Sequence, residues 1–432
     1  MKILLVWAFL TISYRLPQAG ECASTHDPVL PATPSTREQL DTLRDIARLK
    51  EQNELASLLP GSPQFYQVKD VILRVFFGNA SEEDEDLLQS STANQEEFNR
   101  TKELIEAQKS SATSVNISSF YERYHPLEEI YEWINLTAQT YPDRVETILI
   151  GKSFEQRPLY VLKLTGDKKA DKKAIWIDCG IHAREWISPA FCIWFVHHSL
   201  INYKQDGNIT DILDNMDVYV LPVMNPDGYK FTWLPMHLPW NRMWRKNRSY
   251  SEDRLCVGVD LNRNFDANWC TEGALNNTCS QIYCGSSPHS EPETQAVTDF
   301  LRSRNGSVQI YYTIHSYSQL LLFPYAHTLE KPPTHDELNE LVKEAAERIK
   351  TFSGNTYEYG ASATRTYVAS GGSTDWAFNQ GIKYVFSFEL QDQGDYGFLL
   401  PPSLISQACQ EALIAVETIS LRVIEKSNRD SQ

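Results

Sequence analysis

The sequence predicts an α/β protein, in which a mixed central sheet flanked by helices forms one large domain, preceded by a small α+β segment. Three observations lead there. Strand-like apolar runs alternate with helical patterns from about residue 122 to residue 426, the order that builds a sheet with helices packed on it. KAIWIDCGI (173–181) is a run that is apolar apart from Lys173 and Asp178, as in a strand covered on both faces. The 432 residues are 42% hydrophobic and 22% charged, a globular composition with apolar material for a sizeable core.

The elements follow in chain order. Residues 3–14, ILLVWAFLTISY, form an apolar run behind Lys2, with small residues at Ala19 and Gly20. The run is too short to span a bilayer and reads as a secretory signal, residues 1–20. Residues 35–59 read as a helix with a capping box at Ser35 and Glu38 and an apolar face of Leu40, Leu43, Ile46 and Leu49. VILRVFF within 69–77 is a strand, 82–86 is an acidic run, and 94–109 is a polar helix. KSSATSVNISS (109–119) has no apolar periodicity and reads as an exposed, protease-sensitive linker. After it come a helix at 122–142, strands at 145–151, 158–166 and 173–181, and a helix at 189–203 with Pro189 near its start. Further strands fit 217–226, 309–317 and 383–390, and helices fit 290–304, 335–353 and 402–426. The polar C-terminus lacks the hydrophobic tail of a lipid-anchor signal. The mature chain is therefore expected to be soluble, secreted and without a membrane anchor.

Charge and cysteine usage narrow the class. Against 56 Asp+Glu stand 40 Lys+Arg, a net charge of −16, which argues against a nucleic-acid binder. Sequons occur at Asn79, Asn99, Asn116, Asn135, Asn208, Asn247, Asn276 and Asn305, in keeping with export. Cys179, Cys192, Cys256, Cys270, Cys279 and Cys284 cluster in one region. In an oxidising compartment six such cysteines read as disulfides, with 15 possible connectivities, rather than as a zinc site, since no CxxC pair is present. Cys409 stands in an apolar stretch and reads as a buried thiol.

The chemistry centres on IHAREW (181–186), just past the 173–181 strand and before a helix, where open α/β sheets bind ligands. His182 and Glu185, three residues apart, can meet one metal ion, but the pair alone is a weak motif. His315, at the end of a strand, supplies a third ligand, and a His2Glu set leaves zinc an open position. A general base is also needed. Glu389 ends the apolar strand YVFSFEL, and is either that base or a salt-bridged strand-end residue.

With these residues in view, the chain resembles a secreted zinc metallocarboxypeptidase of the pancreatic carboxypeptidase A/B family in its zymogen form. The segments that carry the resemblance are IHAREW, NPDGY (225–229), NRMWRKNRS (241–249), GVDLNRNF (258–265), HSYSQLLLFPY (315–325), ASGGSTDW (369–376) and FELQDQGDYGFLLP (388–401). The resemblance implies that His182, Glu185 and His315 bind one zinc ion. It implies that Glu389 takes a proton from the attacking water and that Arg245 stabilises the oxyanion. Asn262, Arg263 and Tyr367 would hold the substrate's terminal carboxylate, Arg184 and Tyr317 would line outer subsites, and Asp260 would back His182. It pairs Cys179 with Cys192, Cys256 with Cys279 and Cys270 with Cys284. The pocket-floor position matches Thr374, neither acid nor base, so neutral terminal residues (aromatic, aliphatic or uncharged polar) are expected. Residues 21–109 would be an inhibitory prodomain, 110–432 the catalytic domain, and a trypsin-like protease the activator, cutting at Lys109–Ser110 or near Arg100 or Lys102. The partners implied are peptide and protein C-termini, acting on a monomer. Two features depart from the family: Gln391 stands where an arginine is common, and the run before Arg242 and Arg245 is longer. Two other readings are a different metal-assisted amidase on this scaffold and an inactive protein that captures peptide C-termini.

Overall fold

The computed structural model describes Glu103 and residues 117–167, 172–234, 239–250, 256–304 and 306–430. The expected signal, the expected prodomain apart from Glu103, the expected activation site and the sequons at Asn79, Asn99, Asn116 and Asn305 lie outside the described residues. The expected linker ends sooner than 119, because a 3-10 turn begins at Ile117.

Helix α1 (Leu127–Thr140) precedes β1 (Val145–Lys152), β2 (Pro158–Leu164) and β3 (Lys173–Cys179). Then come α2 (Ile187–Asn202), α3 (Gly207–Asn215), β4 (Met216–Leu221) and α4 (Pro226–Trp233). The second half holds α5 (Pro292–Ser303), β5 (Val308–Ser316), β6 (Leu320–Phe323), α6 (His335–Ser353) and β7 (Glu358–Ala361). It closes with α7 (Ser362–Arg365), α8 (Ser373–Asn379), β8 (Tyr384–Leu390) and α9 (Ile405–Asp430).

The strands form one mixed sheet of eight in the order β1-β2-β4-β3-β5-β8-β6-β7. The four central strands, β4, β3, β5 and β8, run parallel, and antiparallel pairings flank them. β3, β5 and β8 are almost wholly buried, which explains their largely apolar sequence. Strand alternation then sorts side chains by face. Ile175, Ile177, Ile310, Ile314, Phe386 and Phe388 join the core formed with α1, α2, α3, α6 and α9. Trp176, Tyr311 and Val385 point the other way, into the core with α5 and α8.

From β3 the chain crosses to β4 on one side, and β5 lies on the other. The carboxyl ends of β3 and β5 therefore flank a topological switch point, where the loops diverge and leave a crevice.

Strands β2, β3 and β4 end sooner than the sequence predicts. β2 stops at Leu164, β3 stops at Cys179, before Gly180, and β4 stops at Leu221 because Pro222 has no N–H for the ladder. NPDGY is then a helix start: Asn225 Oδ1 accepts from Gly228 N at 2.9 Å, Pro226 opens α4, and Asp227 accepts from Ser153 Oγ at 2.6 Å and Glu155 N at 2.7 Å. Helices α3, α4, α7 and α8 and strands β6 and β7, each four to nine residues long, are the elements that apolar periodicity did not reveal. Among the described residues, no helix is long and apolar enough to cross a membrane.

Candidate active site

The site is assembled at the switch point. Gly180 takes φ +66, and a Cβ there would stand 2.9 Å from Pro189 Cγ and 3.4 Å from Val223 Cα. Only glycine fits this fold-back, which carries His182 over the sheet's edge and leaves Glu185 just before α2. His315 comes from the end of β5, in register with Glu389 on β8.

His182, Glu185 and His315 are all buried and converge. His182 Nδ1 is 2.8 Å from Glu185 Oε1, His315 Nδ1 is 3.2 Å from Glu185 Oε2, and the two Nδ1 atoms are 3.2 Å apart. A tetrahedral zinc with ligand bonds of about 2.0–2.1 Å has edges of about 3.3 Å, so the spacing fits.

The outer nitrogens set the tautomers. His182 Nε2 is 3.2 Å from Asp260 Oδ1, an acceptor. Thr313 Oγ1 donates its one hydrogen to Asp178 Oδ1 at 2.7 Å and so accepts from His315 Nε2 at 3.2 Å. Both imidazoles are thereby assigned as Nε2–H tautomers, with both Nδ1 lone pairs turned into the cluster. Two lone pairs 3.2 Å apart repel unless a cation lies between them, and a His2Glu donor set with one position open matches catalytic zinc. The pKa directions agree for His182, which burial and Arg245 push down, favouring the neutral ligand form. For His315 burial is overridden by Glu185, Glu389 and Asp178, which raise it; a divalent cation in the cluster would reverse that balance.

Asp260 is fully buried and joins several parts of the site. Its Oδ2 receives Arg245 Nε at 3.0 Å and another Arg245 nitrogen at 2.9 Å. Its Oδ1 receives the Asn262 N–H at 3.0 Å as well as His182. Burial alone would raise its pKa, but Arg245 and His182 hold it well below the carboxylate range. Arg245 also lies 3.9 Å from Glu185 Oε1. Three residues before it, Arg242 is buried over Trp186 at 3.8 Å and donates to the carbonyls of Arg184 and Phe398, each at 2.6 Å.

Glu389 is the one residue of β8 that is not buried, so it opens to the crevice. Desolvation and the charge of Glu185 raise its pKa, against His315 and Arg245.

Beyond Asp260 lies a cationic corner. Arg263 meets Tyr367 Oη at 3.2 Å, and Tyr367 is exposed at the rim. Asn262 Oδ1 accepts from Ser373 N at 2.9 Å, which leaves its amide donors for a ligand. Arg184 stacks over Phe398 at 4.2 Å, and Tyr317 packs edge-on to the same ring at 5.0 Å. Thr374, in the first turn of α8, is 6% exposed. Its neighbour Asp375 is engaged by the backbone N–H groups of Ala326 and His327 and by the His327 ring.

The three disulfides, Cys179–Cys192, Cys256–Cys279 and Cys270–Cys284, are those the resemblance implied, and Cys409 is a buried thiol. Gln391 donates to the buried Glu411 at 2.7 Å. One sequon is closed: Asn247 is buried, with its amide donating to Glu291 at 2.7 Å and Glu293 at 3.2 Å, so a glycan there is incompatible with this fold. Asn135, Asn208 and Asn276 are exposed. The residues missed were Thr313 and Asp178. Their signal was strand alternation, since Thr313 lies two residues before His315 on the same face.

The profile of the zinc carboxypeptidase family matches residues 130–415. Carboxypeptidase B2 of Rattus norvegicus is 44% identical over 407 residues, 92% of this chain and 94% of its own length. Mast cell carboxypeptidase A of Homo sapiens is 39% identical over 399 residues, 91% of this chain and 93% of its own. The crystal structure of thrombin activatable fibrinolysis inhibitor superposes with a TM-score of 0.73 at 48% identity, covering 75% of this chain and 80% of that one.

Proposed function

The chain belongs to the zinc carboxypeptidase family, and from that premise we propose a secreted exopeptidase that removes neutral C-terminal residues from peptides and proteins and is made as a zymogen. The observation that carries this reading is the single buried carboxylate of Asp260, which touches a metal-site histidine, Arg245 and the Asn262–Arg263 turn at once. A clamp for a terminal carboxylate is thereby held at a fixed distance from the metal cluster, as cleavage one residue from the end requires.

His182, Glu185 and His315 would hold a zinc ion, which when bound would supply Lewis acidity near neutral pH. The chain's own residues do the rest. Arg263, Tyr367 and the Asn262 amide grip the terminal carboxylate, Arg263 in a fork that lysine cannot offer. Arg245, fixed by Asp260, presents a guanidinium where charge develops on the carbonyl oxygen. Glu389 takes the proton of the attacking water and returns it to the leaving amine.

The preference for neutral residues rests on Thr374 and on the engagement of Asp375, which leaves no free carboxylate at the pocket floor to pair with a basic side chain. A second reading, basic preference, is favoured by the name carboxypeptidase B2 carried by a relative. Zymogen activation is supported by the extent of the match, 92% of this chain, and by a structural relative whose name records activation by thrombin. The test is mass spectrometry of peptides differing only in their last residue, with trypsin-cut chain and with or without a zinc chelator. Chelator-sensitive loss of neutral residues, with Lys and Arg spared, is expected. Preferential loss of Lys and Arg would establish the second reading, and no trimming by zinc-loaded chain would leave a capture protein for C-termini.

A further inference from the structure

Arg263 is held by more than its partner Tyr367. Its Nε donates to the Gly273 carbonyl at 2.8 Å and one terminal nitrogen donates to the Asn262 carbonyl at 2.9 Å, while the other meets Tyr367. Fixing Nε fixes the plane of the guanidinium, and bidentate recognition of a carboxylate depends on that plane. Gly273 belongs to the loop closed by Cys270–Cys284 and joined by Cys279 to Cys256. Lys246 Nζ also ties the loop down, donating to the Thr278 carbonyl at 2.8 Å.

This loop lies directly against the segment that carries Tyr367. Gly273 has φ +77, and a Cβ there would fall 2.0 Å from the Val368 carbonyl oxygen and 2.6 Å from Ala369 Cα. Both the left-handed backbone and the contact demand glycine. Just before Gly273 the seam is closed by two hydrogen bonds at Ser370, Ser370 N to Glu272 O at 3.0 Å and Thr271 N to Ser370 Oγ at 3.0 Å. The carbonyl that aims Arg263 is thus pressed backbone to backbone against the strand of chain that presents Tyr367.

We propose that this seam, residues 271–273 against 368–370, is a positioning device that sets the enzyme's demand for a free terminal carboxylate, with Gly273 as its central positioning residue. It rests on the reading of Arg263 as the carboxylate clamp. A methyl group at residue 273 must move from 2.0 Å to the 3.4 Å of ordinary contact, which parts the two halves of the clamp and turns the guanidinium. The metal cluster and Glu389 stand on β3, β5 and β8 and their ends, outside the seam. Binding of the carboxylate should therefore suffer while the chemical step does not.

The experiment compares Gly273→Ala, Ser370→Ala, Arg263→Ala and the unaltered full-length chain after proteolytic activation. Each is assayed on a peptide with a free C-terminus and on its C-terminal amide, with zinc content measured in parallel. Gly273→Ala should raise KM for the free acid about tenfold with kcat within about twofold, and lower the acid-to-amide ratio of kcat/KM by the same factor. Ser370→Ala, which removes one hydrogen bond of the seam, should move KM and the ratio the same way by about threefold. Unchanged KM and unchanged ratio in either variant overturn the proposal, as does an equal fall in kcat and kcat/KM. Should Gly273→Ala fail to fold, Ser370→Ala decides alone. If the unaltered chain does not distinguish acid from amide, or Arg263→Ala keeps the distinction, the clamp reading itself has failed and the proposal with it.

Discussion

Asp260→Asn should cost metal affinity through the tautomer of His182. Asp260 Oδ2 takes two donors from Arg245, at 3.0 and 2.9 Å, and Oδ1 takes the Asn262 N–H at 3.0 Å and His182 Nε2–H at 3.2 Å. An asparagine must keep its oxygen toward the charged Arg245 donors, because its NH2 group there would meet two of them. The NH2 group then faces His182 Nε2. To accept from it, the imidazole must lose its Nε2 proton and carry it on Nδ1, the atom turned toward the metal ligands. Loss of such a supporting partner typically weakens a metal site about 10- to 100-fold, or about 1.4–2.7 kcal/mol. Unpairing the buried Arg245 charge adds about 3–5 kcal/mol of destabilisation. Asp260→Ala makes the test specific, since water filling the space can accept from Nε2–H and preserve the tautomer. Zinc affinity by chelator competition should fall in the order unaltered, Ala, Asn, and 15N shifts of the His182 ring should show Nδ1–H in the Asn variant only. Unchanged zinc affinity in Asp260→Asn, or a weaker site in Ala than in Asn, would refute the tautomer reasoning.

Thr313→Val, which keeps the shape but removes the hydroxyl between Asp178 and His315, should weaken zinc binding about tenfold in the same competition assay. Thr374→Asp places a carboxylate at the pocket floor and should shift kcat/KM toward terminal Lys and Arg by about 100-fold, read on paired peptides. In acid the Glu337 cluster should hold until the pH approaches 2. Burial would raise the Glu337 pKa, but Lys426, Tyr384 and Lys383 bring it down to about 2. A depressed carboxylate pKa contributes stability that is present above the unfolded value of about 4.3 and is lost as pH falls through about 2, so Lys426→Ala should remove about 1 kcal/mol at pH 6, after allowance for solvent screening, and almost nothing once the pH is well below about 2. Glycan mapping of secreted protein should find the peptide spanning Asn247 unmodified, and Asn247→Ala should destabilise by about 2 kcal/mol by removing the donor that Glu291 and Glu293 share.

The fold was legible where sequence carries its own period. The buried strands β3, β5 and β8 announce themselves by largely apolar runs, and α6 by apolar residues at 338, 342, 345, 346 and 349. Strands β6 and β7, four residues each, and the four-residue α7 hold too few turns of any period to stand out; they form because β8 and α6 offer surfaces to cover. The site divides on a similar line. His182, Glu185 and His315 could be picked out by residue type and by their places at strand ends. Thr313 was hidden because a threonine inside a strand is ordinary, and its meaning lies in a hydrogen bond to Asp178, 135 residues away. Asp260 reaches His182 across 78 residues, and only the resemblance pointed to it.

The same distinction explains why residues outside the motifs can govern the motifs' chemistry. A ligand histidine is useful in one tautomer and useless in the other, and a clamp arginine is useful in one plane. Sequence displays the ligand and the clamp, whereas tautomer and plane are fixed by a threonine, a buried aspartate and the carbonyl of a left-handed glycine. Those partners are chosen by the packing of distant segments. Gly273 carries no chemistry of its own, and its constraint is visible only when a Cβ is placed against Val368. A substitution there should therefore spare the reaction and alter which peptide ends are admitted to it, because Gly273 bears on Arg263 and on the backbone of Val368 and Ala369.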